Sequence, residues 1–127
     1  MRHTLLVPAL AWGGVIFGLS SMSSPPAPKT FDAFSALAHV FVYAVLAFLL
    51  MFWARRAFPD RSMALLMSSV WVLAVLYGVS DEWHQSFVSG RHATALDVGF
   101  DAIGAALGVA AWPLLDATTP RRSLSAR

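Results

Sequence analysis

The amino-acid sequence predicts an all-α fold: an integral membrane four-helix bundle with its N and C termini in the cytoplasm. Of the 127 residues, 57% are hydrophobic and only 13% are charged, whereas a soluble domain carries about 25% charged residues. The apolar residues form four long runs, and most of the basic residues lie on one side of these runs. A single domain, residues 1–127, contains all four.

The composition also excludes several classes of site and partner. The net charge of +2 comes from basic residues that lie between apolar runs and form no aromatic-interleaved patch, so we expect no nucleic-acid partner. The absence of cysteine excludes disulfides, thiol nucleophiles and cysteine-based metal sites.

The first apolar run, residues 4–20, has two interpretations. A basic start, an apolar stretch and small residues at Ser21 and Ser23 are typical of a secretory signal peptide. Alternatively, the run is a transmembrane helix near the lower limit of length. We favour the helix, because three further spans follow and a bundle needs its packing surface. The proline-rich segment at 21–28 then forms a short external loop.

Three further spans are predicted, at about residues 31–54, 62–79 and 94–115. The second span contains His39 and Tyr43, which are four residues apart and therefore share one helical face.

The distribution of lysine and arginine predicts the orientation. One side carries seven of these residues: Arg2, Arg55, Arg56, Arg61, Arg121, Arg122 and Arg127. The other side carries Lys29 and Arg91. Because cytoplasmic segments are enriched in basic residues, both termini are expected in the cytoplasm and the polar stretch after the third span faces outward.

This polar stretch, residues 77–108, is the candidate functional site. It contains Asp81, Glu82, His84, Gln85, Arg91, His92, Asp97 and Asp101. Ionisable groups beside membrane spans are costly unless they find partners or water, so their concentration here indicates function. We expect Ser80 to cap a new helical turn that begins at Asp81.

The predicted depth of two residues in the membrane indicates that the second and fourth spans meet at this site. At a rise of about 1.5 Å per residue, His39 and Asp101 both lie roughly 10 Å below the outer interface, so His39 is expected to bond Asp97 or Asp101. Asp97 and Asp101 share a face of the fourth helix and repel, so either one is protonated or both face a cation. Arg91 is the expected cation.

The predicted result is an outward-facing polar pocket between the second, third and fourth helices. Below it, Gly104 and Gly108 are four residues apart and allow close helix approach. The same face could also support oligomerisation.

The motifs of this stretch resemble the VanZ-like family of small bacterial membrane proteins. The similarity lies in Tyr77-Gly78-x-Ser80-Asp81-Glu82-x-His84-Gln85, Gly90-Arg91, Asp97 and Gly104, and in His39-x-x-x-Tyr43. It covers about residues 35–108. The sequence departs from the family pattern at Ser35-Ala36, where Asp-Lys is frequent, and at Asp101, where Asn is common.

The resemblance implies a multi-pass protein of the bacterial inner membrane. The namesake of the family is linked to teicoplanin (glycopeptide) resistance, but the resemblance implies no defined reaction. The resemblance also implies that the matching positions are functionally important, namely His39, Tyr43, Glu82, Gln85, Arg91 and Asp97.

Two functional hypotheses follow. In the first, the pocket binds a lipid head group or a lipid-linked envelope precursor, with membrane lipids as its other partners. The predicted ligand-binding residues are His39, Tyr43, Asp81, Glu82, His84, Gln85, Arg91, Asp97 and Asp101. In the second, the protein is a membrane-embedded enzyme. Glu82 or Asp97 is then the general base, His39 shuttles protons and Arg91 stabilises charge.

Other interpretations remain open. The polar residues could form a structural clasp between the third and fourth helices. Proton-coupled transport ranks last, because four short spans are few for a transporter. No cofactor is predicted. The set Asp81, Glu82, His84, Asp97 and Asp101 suits a divalent metal, but it matches no established metal motif, so a metal is only a minor alternative.

Overall fold

The computed structural model describes residues 3–23 and 32–118, and these residues form helices and no strands. The all-α class predicted from the sequence is therefore confirmed. Arg2, Lys29, the proline-rich segment from residue 24 onward and the three arginines of the tail lie outside the described residues. The predicted orientation rests partly on them and stays a prediction.

The first helix, α1 (Val7–Ser20), follows a short 3₁₀ turn at His3–Leu6. Together they form an apolar helix shorter than the other three. Ala9, Ile16 and Ser20 are its buried residues, so α1 contributes packing surface to the bundle.

Side-chain caps set the beginnings of the next two helices. In α2 (Ala33–Ala57), the carboxylate of Asp32 accepts a hydrogen bond from the backbone N–H of Phe34. In α3 (Met63–Gln85), the hydroxyl of Ser62 accepts one from Leu65. Such caps satisfy backbone donors that have no partner within the helix.

The third helix extends six residues beyond the predicted end of its span. It continues through Ser80, whose hydroxyl donates to the carbonyl of Tyr77 at 2.7 Å, so the expected cap and new helical turn at Asp81 were wrong. A serine hydroxyl bonded back to the preceding turn is compatible with a continuous helix. Consequently, the polar residues from Asp81 to Gln85 lie on the last turns of α3.

The helices α2, α3 and α4 (Ala95–Thr118) are long and apolar enough to cross a membrane. Their outward surfaces are also apolar: Phe41, Leu76 and Leu107 are each about 60% exposed. Large exposed apolar surfaces are unfavourable in water but are the expected surface towards lipid.

The closest packing in the bundle joins α2 to α4. A Cβ atom added at Gly104 would overlap the carbonyl of Val40, and one added at Gly108 would overlap that of Ala44. The predicted close approach at these glycines is therefore confirmed, and it occurs within the chain. Oligomerisation through this face would compete with α2, and it stays an untested prediction.

Candidate functional site

The polar residues of the candidate site gather at the end of the bundle where α1 and α3 finish and α2 and α4 begin. We call this the polar end. Because α3 remains helical to Gln85, Asp81 and Gln85 lie one turn apart on the same face. Glu82 lies one turn beyond Gly78 on a neighbouring face.

One cluster joins α2, α3 and α4. The Nδ1 atom of His39 lies 2.8 Å from Oδ1 of Asp101, which confirms the expected bond between residues at similar depth. Glu82 joins them: one ligand-type atom from each of the three residues lies within 4.8 Å of those of the others. We call this group the His39–Glu82–Asp101 trio.

Each of the two carboxylates of the trio has one oxygen with a hydrogen-bond partner and one oxygen without. Oε2 of Glu82 accepts a hydrogen bond from the backbone N–H of Thr94 at 2.9 Å, whereas Oε1 has no partner. Oδ2 of Asp101 has no partner either, although the residue is fully buried. This oxygen lies beside Gly78, where an added Cβ would be 2.8 Å away. Unpartnered buried oxygens are costly and are rare without a structural or functional reason.

A second cluster joins α3 to α1. Oδ2 of Asp81 accepts hydrogen bonds from the hydroxyl of Ser20 at 2.7 Å and from Nε2 of Gln85 at 3.0 Å. All three residues are buried, and Oδ1 of Asp81 has no partner. The first helix therefore completes this part of the site.

Between α1, α2 and α3 lies a cleft of about 180 Å³. We call it the polar cleft. Its polar lining consists of Ser20, Ser35, His39, Tyr43, Asp81, Gln85 and Arg91, and its apolar lining of Ile16, Leu19, Ala38 and Val42. The sequence predicted a pocket between the second, third and fourth helices. In the structure α1, and not α4, forms the third wall of the polar cleft, so this part of the prediction was wrong.

Tyr43 lies at the inner part of this cleft. Its side chain is fully buried, yet its hydroxyl has no hydrogen-bond partner. The other tyrosine of the site, Tyr77, donates to the carbonyl of Gly13 at 2.6 Å. The two rings lie 6.3 Å apart, centroid to centroid. Tyr43 therefore presents an unused donor and acceptor.

Arg91 does not pair with the carboxylates, so its expected role as their cation was wrong. Its Nη2 donates to the carbonyl of Leu19 at 2.6 Å, and its Nε donates to that of Met22 at 3.1 Å. Helices end with carbonyls that lack partners, and a cation there is favourable. Arg91 thus ties the turn after α3 to the end of α1.

Asp97 is placed at the start of α4. Its Oδ2 accepts from the hydroxyl of Thr94 at 2.8 Å, and that hydroxyl accepts from the N–H of Asp97 at 3.1 Å. This reciprocal arrangement caps the helix. Asp97 is therefore accounted for structurally, and the geometry gives no support to its use as a general base.

His84 lies at the rim of the polar end. Its ring stacks on Phe17 with centroids 4.5 Å apart, and its Nε2 lies 3.0 Å from the hydroxyl of Ser21. Because that hydroxyl donates to the carbonyl of Phe17, the contact fastens α3 to the end of α1.

Sequence reasoning gave no role in the site to three residues that shape it: Ser20, Thr94 and Gly78, the last of which appeared only as part of the family motif. Ser20 could have been suspected, because it is a polar residue that directly ends an apolar run. Gly78 gave a weaker signal, since a glycine one turn before Glu82 leaves room for a side chain from a neighbouring helix.

The geometry offers two chemical capacities. The polar cleft can exchange hydrogen bonds with a small polar group. The trio, with two carboxylates and one imidazole, can hold a cation or exchange a proton.

Comparison with known proteins identifies the family. The family model described as VanZ/LLP1 matches residues 4–116, nearly the whole chain. No curated protein matches the chain, and no solved structure matches it. The match includes both helices of the His39–Asp101 bond and all the lining residues of the polar cleft. The resemblance noted in the sequence motifs is thereby confirmed, and this membrane protein belongs to the VanZ/LLP1 family.

Proposed function

We propose that this protein binds an amphipathic ligand, a membrane lipid or a lipid-linked cell-envelope precursor, with the polar head group in the polar cleft. The observation that carries the proposal is the unused hydrogen-bonding capacity of the cleft. The hydroxyl of Tyr43 and Oδ1 of Asp81 are buried, lack partners and belong to lining residues. A ligand that bonds them would remove the cost of leaving them unsatisfied.

The cleft suits a ligand with hydroxyl or amine donors and an anionic group. Asp81 and Gln85 offer acceptors for the donors. Arg91 uses two N–H groups for the carbonyls of Leu19 and Met22, and its guanidinium has five. The remaining donors can therefore contact a phosphate or carboxylate without releasing α1.

A second cleft supports the amphipathic character of the ligand. It has a volume of about 290 Å³ and lies between the same three helices, with mostly apolar lining. Its lining includes Gly13, Leu46 and Tyr77, each about one helical turn from a residue of the polar cleft. A polar cleft followed by an apolar one matches a head group followed by a hydrocarbon chain.

The proposal includes a location and a physiological consequence. Membership of the VanZ/LLP1 family favours the bacterial inner membrane, and the excess of arginine on one side favours an orientation with the polar cleft facing outward. Binding a lipid-linked precursor there would alter the envelope without making or breaking bonds. Reduced sensitivity to teicoplanin-type glycopeptides is the consequence that family membership favours.

An enzymatic function is the second candidate, and the His39–Asp101 bond favours it. A histidine oriented by a buried carboxylate, with a further carboxylate nearby, is an arrangement that transfers protons. Glu82 would be the general base and His39 the shuttle. Glu82→Gln distinguishes the two candidates, because it removes the base but leaves the lining of the polar cleft intact.

Native mass spectrometry of the protein purified in mild detergent tests the binding proposal. Wild-type protein should retain a lipid or precursor of defined mass. Tyr43→Phe and Asp81→Asn should lower its occupancy at least about tenfold, which corresponds to one lost hydrogen bond. Ser69→Ala, at an exposed position in the first half of α3, is the control and should retain the ligand. Equal retention by all four proteins would overturn the proposal.

A further inference from the structure

We infer that the His39–Glu82–Asp101 trio binds a divalent transition-metal ion, such as Zn²⁺ or Mn²⁺, that links α2, α3 and α4 at the polar end. This inference is independent of the ligand proposed for the polar cleft.

The donor set and its spacing fit such an ion. Imidazole with two carboxylates suits Zn²⁺ and Mn²⁺ better than Ca²⁺ or Mg²⁺, which favour sites made of oxygen ligands. Two protein ligands of one Zn²⁺ ion lie about 3.4 Å apart when each bond is about 2.1 Å. The ligand atoms of the trio already lie within 4.8 Å of one another. Side-chain movements on the order of 1 Å would therefore complete the coordination.

The second observation is that each carboxylate of the trio has one buried oxygen without a hydrogen-bond partner. Oε1 of Glu82 and Oδ2 of Asp101 are buried and have no partner, and both residues are at least 95% buried. Gly78 lets Oδ2 of Asp101 pack against α3, because a Cβ at this position would lie 2.8 Å from that oxygen. Hydrogen bonds within the protein therefore do not satisfy these two carboxylates, whereas an ion held by the trio would bond an oxygen of each residue.

The charges of the trio also favour a bound cation. Among the described residues, the one contact between a carboxylate and a basic side chain is His39–Asp101, in which the imidazole is charged only when protonated. Arg91 donates to the carbonyls of Leu19 and Met22 instead. Two buried carboxylates and a neutral imidazole carry two negative charges, which a divalent cation neutralises. Burying carboxylates without such compensation is strongly unfavourable. A proton shared between the two carboxylates is the competing explanation.

Measurements of metal content and thermal stability test the proposed metal site directly. The full-length protein, purified in detergent without chelator, is analysed by inductively coupled plasma mass spectrometry. We expect about one transition-metal ion per chain, in line with one set of three ligands. After removal of the metal with EDTA, added Zn²⁺ should raise the melting temperature by several degrees, because it binds the folded state preferentially.

Four variants localise the ion. Glu82→Gln, Asp101→Asn and Gly78→Ala should lower the metal content to background and abolish the Zn²⁺-dependent stabilisation. Asp81→Asn is the matched control, since Asp81 is the neighbouring and equally buried carboxylate of α3 but lies outside the trio. It should retain the metal while weakening ligand retention in the polar cleft.

A measurement on wild-type protein avoids dependence on variants that fold poorly. Co²⁺ added to the EDTA-treated protein should produce visible absorption bands typical of a site with nitrogen and oxygen ligands, and Zn²⁺ should displace them. No bound metal in the purified protein, no cobalt bands and no stabilisation by Zn²⁺ or Mn²⁺ would overturn the inference. The trio would then be a proton-sharing cluster.

Discussion

Nδ1 of His39 on α2 lies 2.8 Å from Oδ1 of Asp101 on α4, although the two residues are 62 positions apart in the chain. Asp101 is fully buried, and His39 is 16% exposed where it lines the polar cleft. This bond lies one helical turn above Gly104, where the two helices approach most closely. The polar end and the close-packed part of the bundle are therefore continuous with each other.

The first prediction concerns the energy of this bond. In a double-mutant cycle of His39→Ala and Asp101→Ala, the coupling free energy should be about 1–2 kcal/mol, which is the upper range for interhelical hydrogen bonds in membranes. The free energy of unfolding in mixed detergent micelles measures it. Additive effects of the two substitutions would show that the pair contributes nothing specific.

The second prediction concerns the glycines of α4. Gly104→Ala and Gly108→Ala should each lower the free energy of unfolding by about 1–3 kcal/mol, because a Cβ overlaps a carbonyl of α2 and forces the helices apart. Gly99→Ala is the matched control on the same helix, since nothing lies within 4 Å of its added Cβ. A similar loss in all three variants would mean that helix approach is not the cause.

The third prediction contrasts the two tyrosines. Tyr77→Phe should destabilise the protein by about 1 kcal/mol, because it removes the hydrogen bond to Gly13. Tyr43→Phe removes a buried hydroxyl without a partner, so the stability of the ligand-free protein should stay the same or rise slightly. Thermal unfolding after delipidation measures both. A large loss of stability in Tyr43→Phe would show that the hydroxyl of Tyr43 has a hydrogen-bond partner within the protein.

The fourth prediction concerns Arg91. Arg91→Gln should increase hydrogen exchange at the end of α1 and in residues 21–23, because two charge-assisted bonds to Leu19 and Met22 are lost. Arg56→Gln is the control at the other end of the bundle, where Arg56 lies over the ring of Phe52. Unchanged exchange near Leu19 in Arg91→Gln would show that these bonds do not hold α1.

Much of the fold was predictable because each span is a long apolar run. A bond between His39 and a carboxylate of the fourth helix was also predictable, since depth along a straight helix follows from residue count. The choice of Asp101 over Asp97 came from the structure. The hydrogen bonds of Arg91 and the contribution of α1 to the polar cleft were not predictable. Helices that are apolar all round do not reveal which face turns inwards, so their rotation is undetermined by the sequence pattern.

The role of Asp97 shows the same limit at a helix end. A carboxylate three residues after a threonine serves equally well as a cap and as a site residue, and only the position of Thr94 relative to α4 decides between them. Ser20 was overlooked for a related reason. Its partner Asp81 lies 61 positions away, and no local pattern connects them.

The most direct test of the central claim is an experimental structure of the protein in nanodiscs formed from its native membrane. We predict density for a polar group within 3.5 Å or so of the hydroxyl of Tyr43 and of Oδ1 of Asp81, continuing as a chain towards Leu46 and Tyr77. A closed polar cleft, in which these two atoms are bonded to other protein groups and no ligand density is present, would contradict the account.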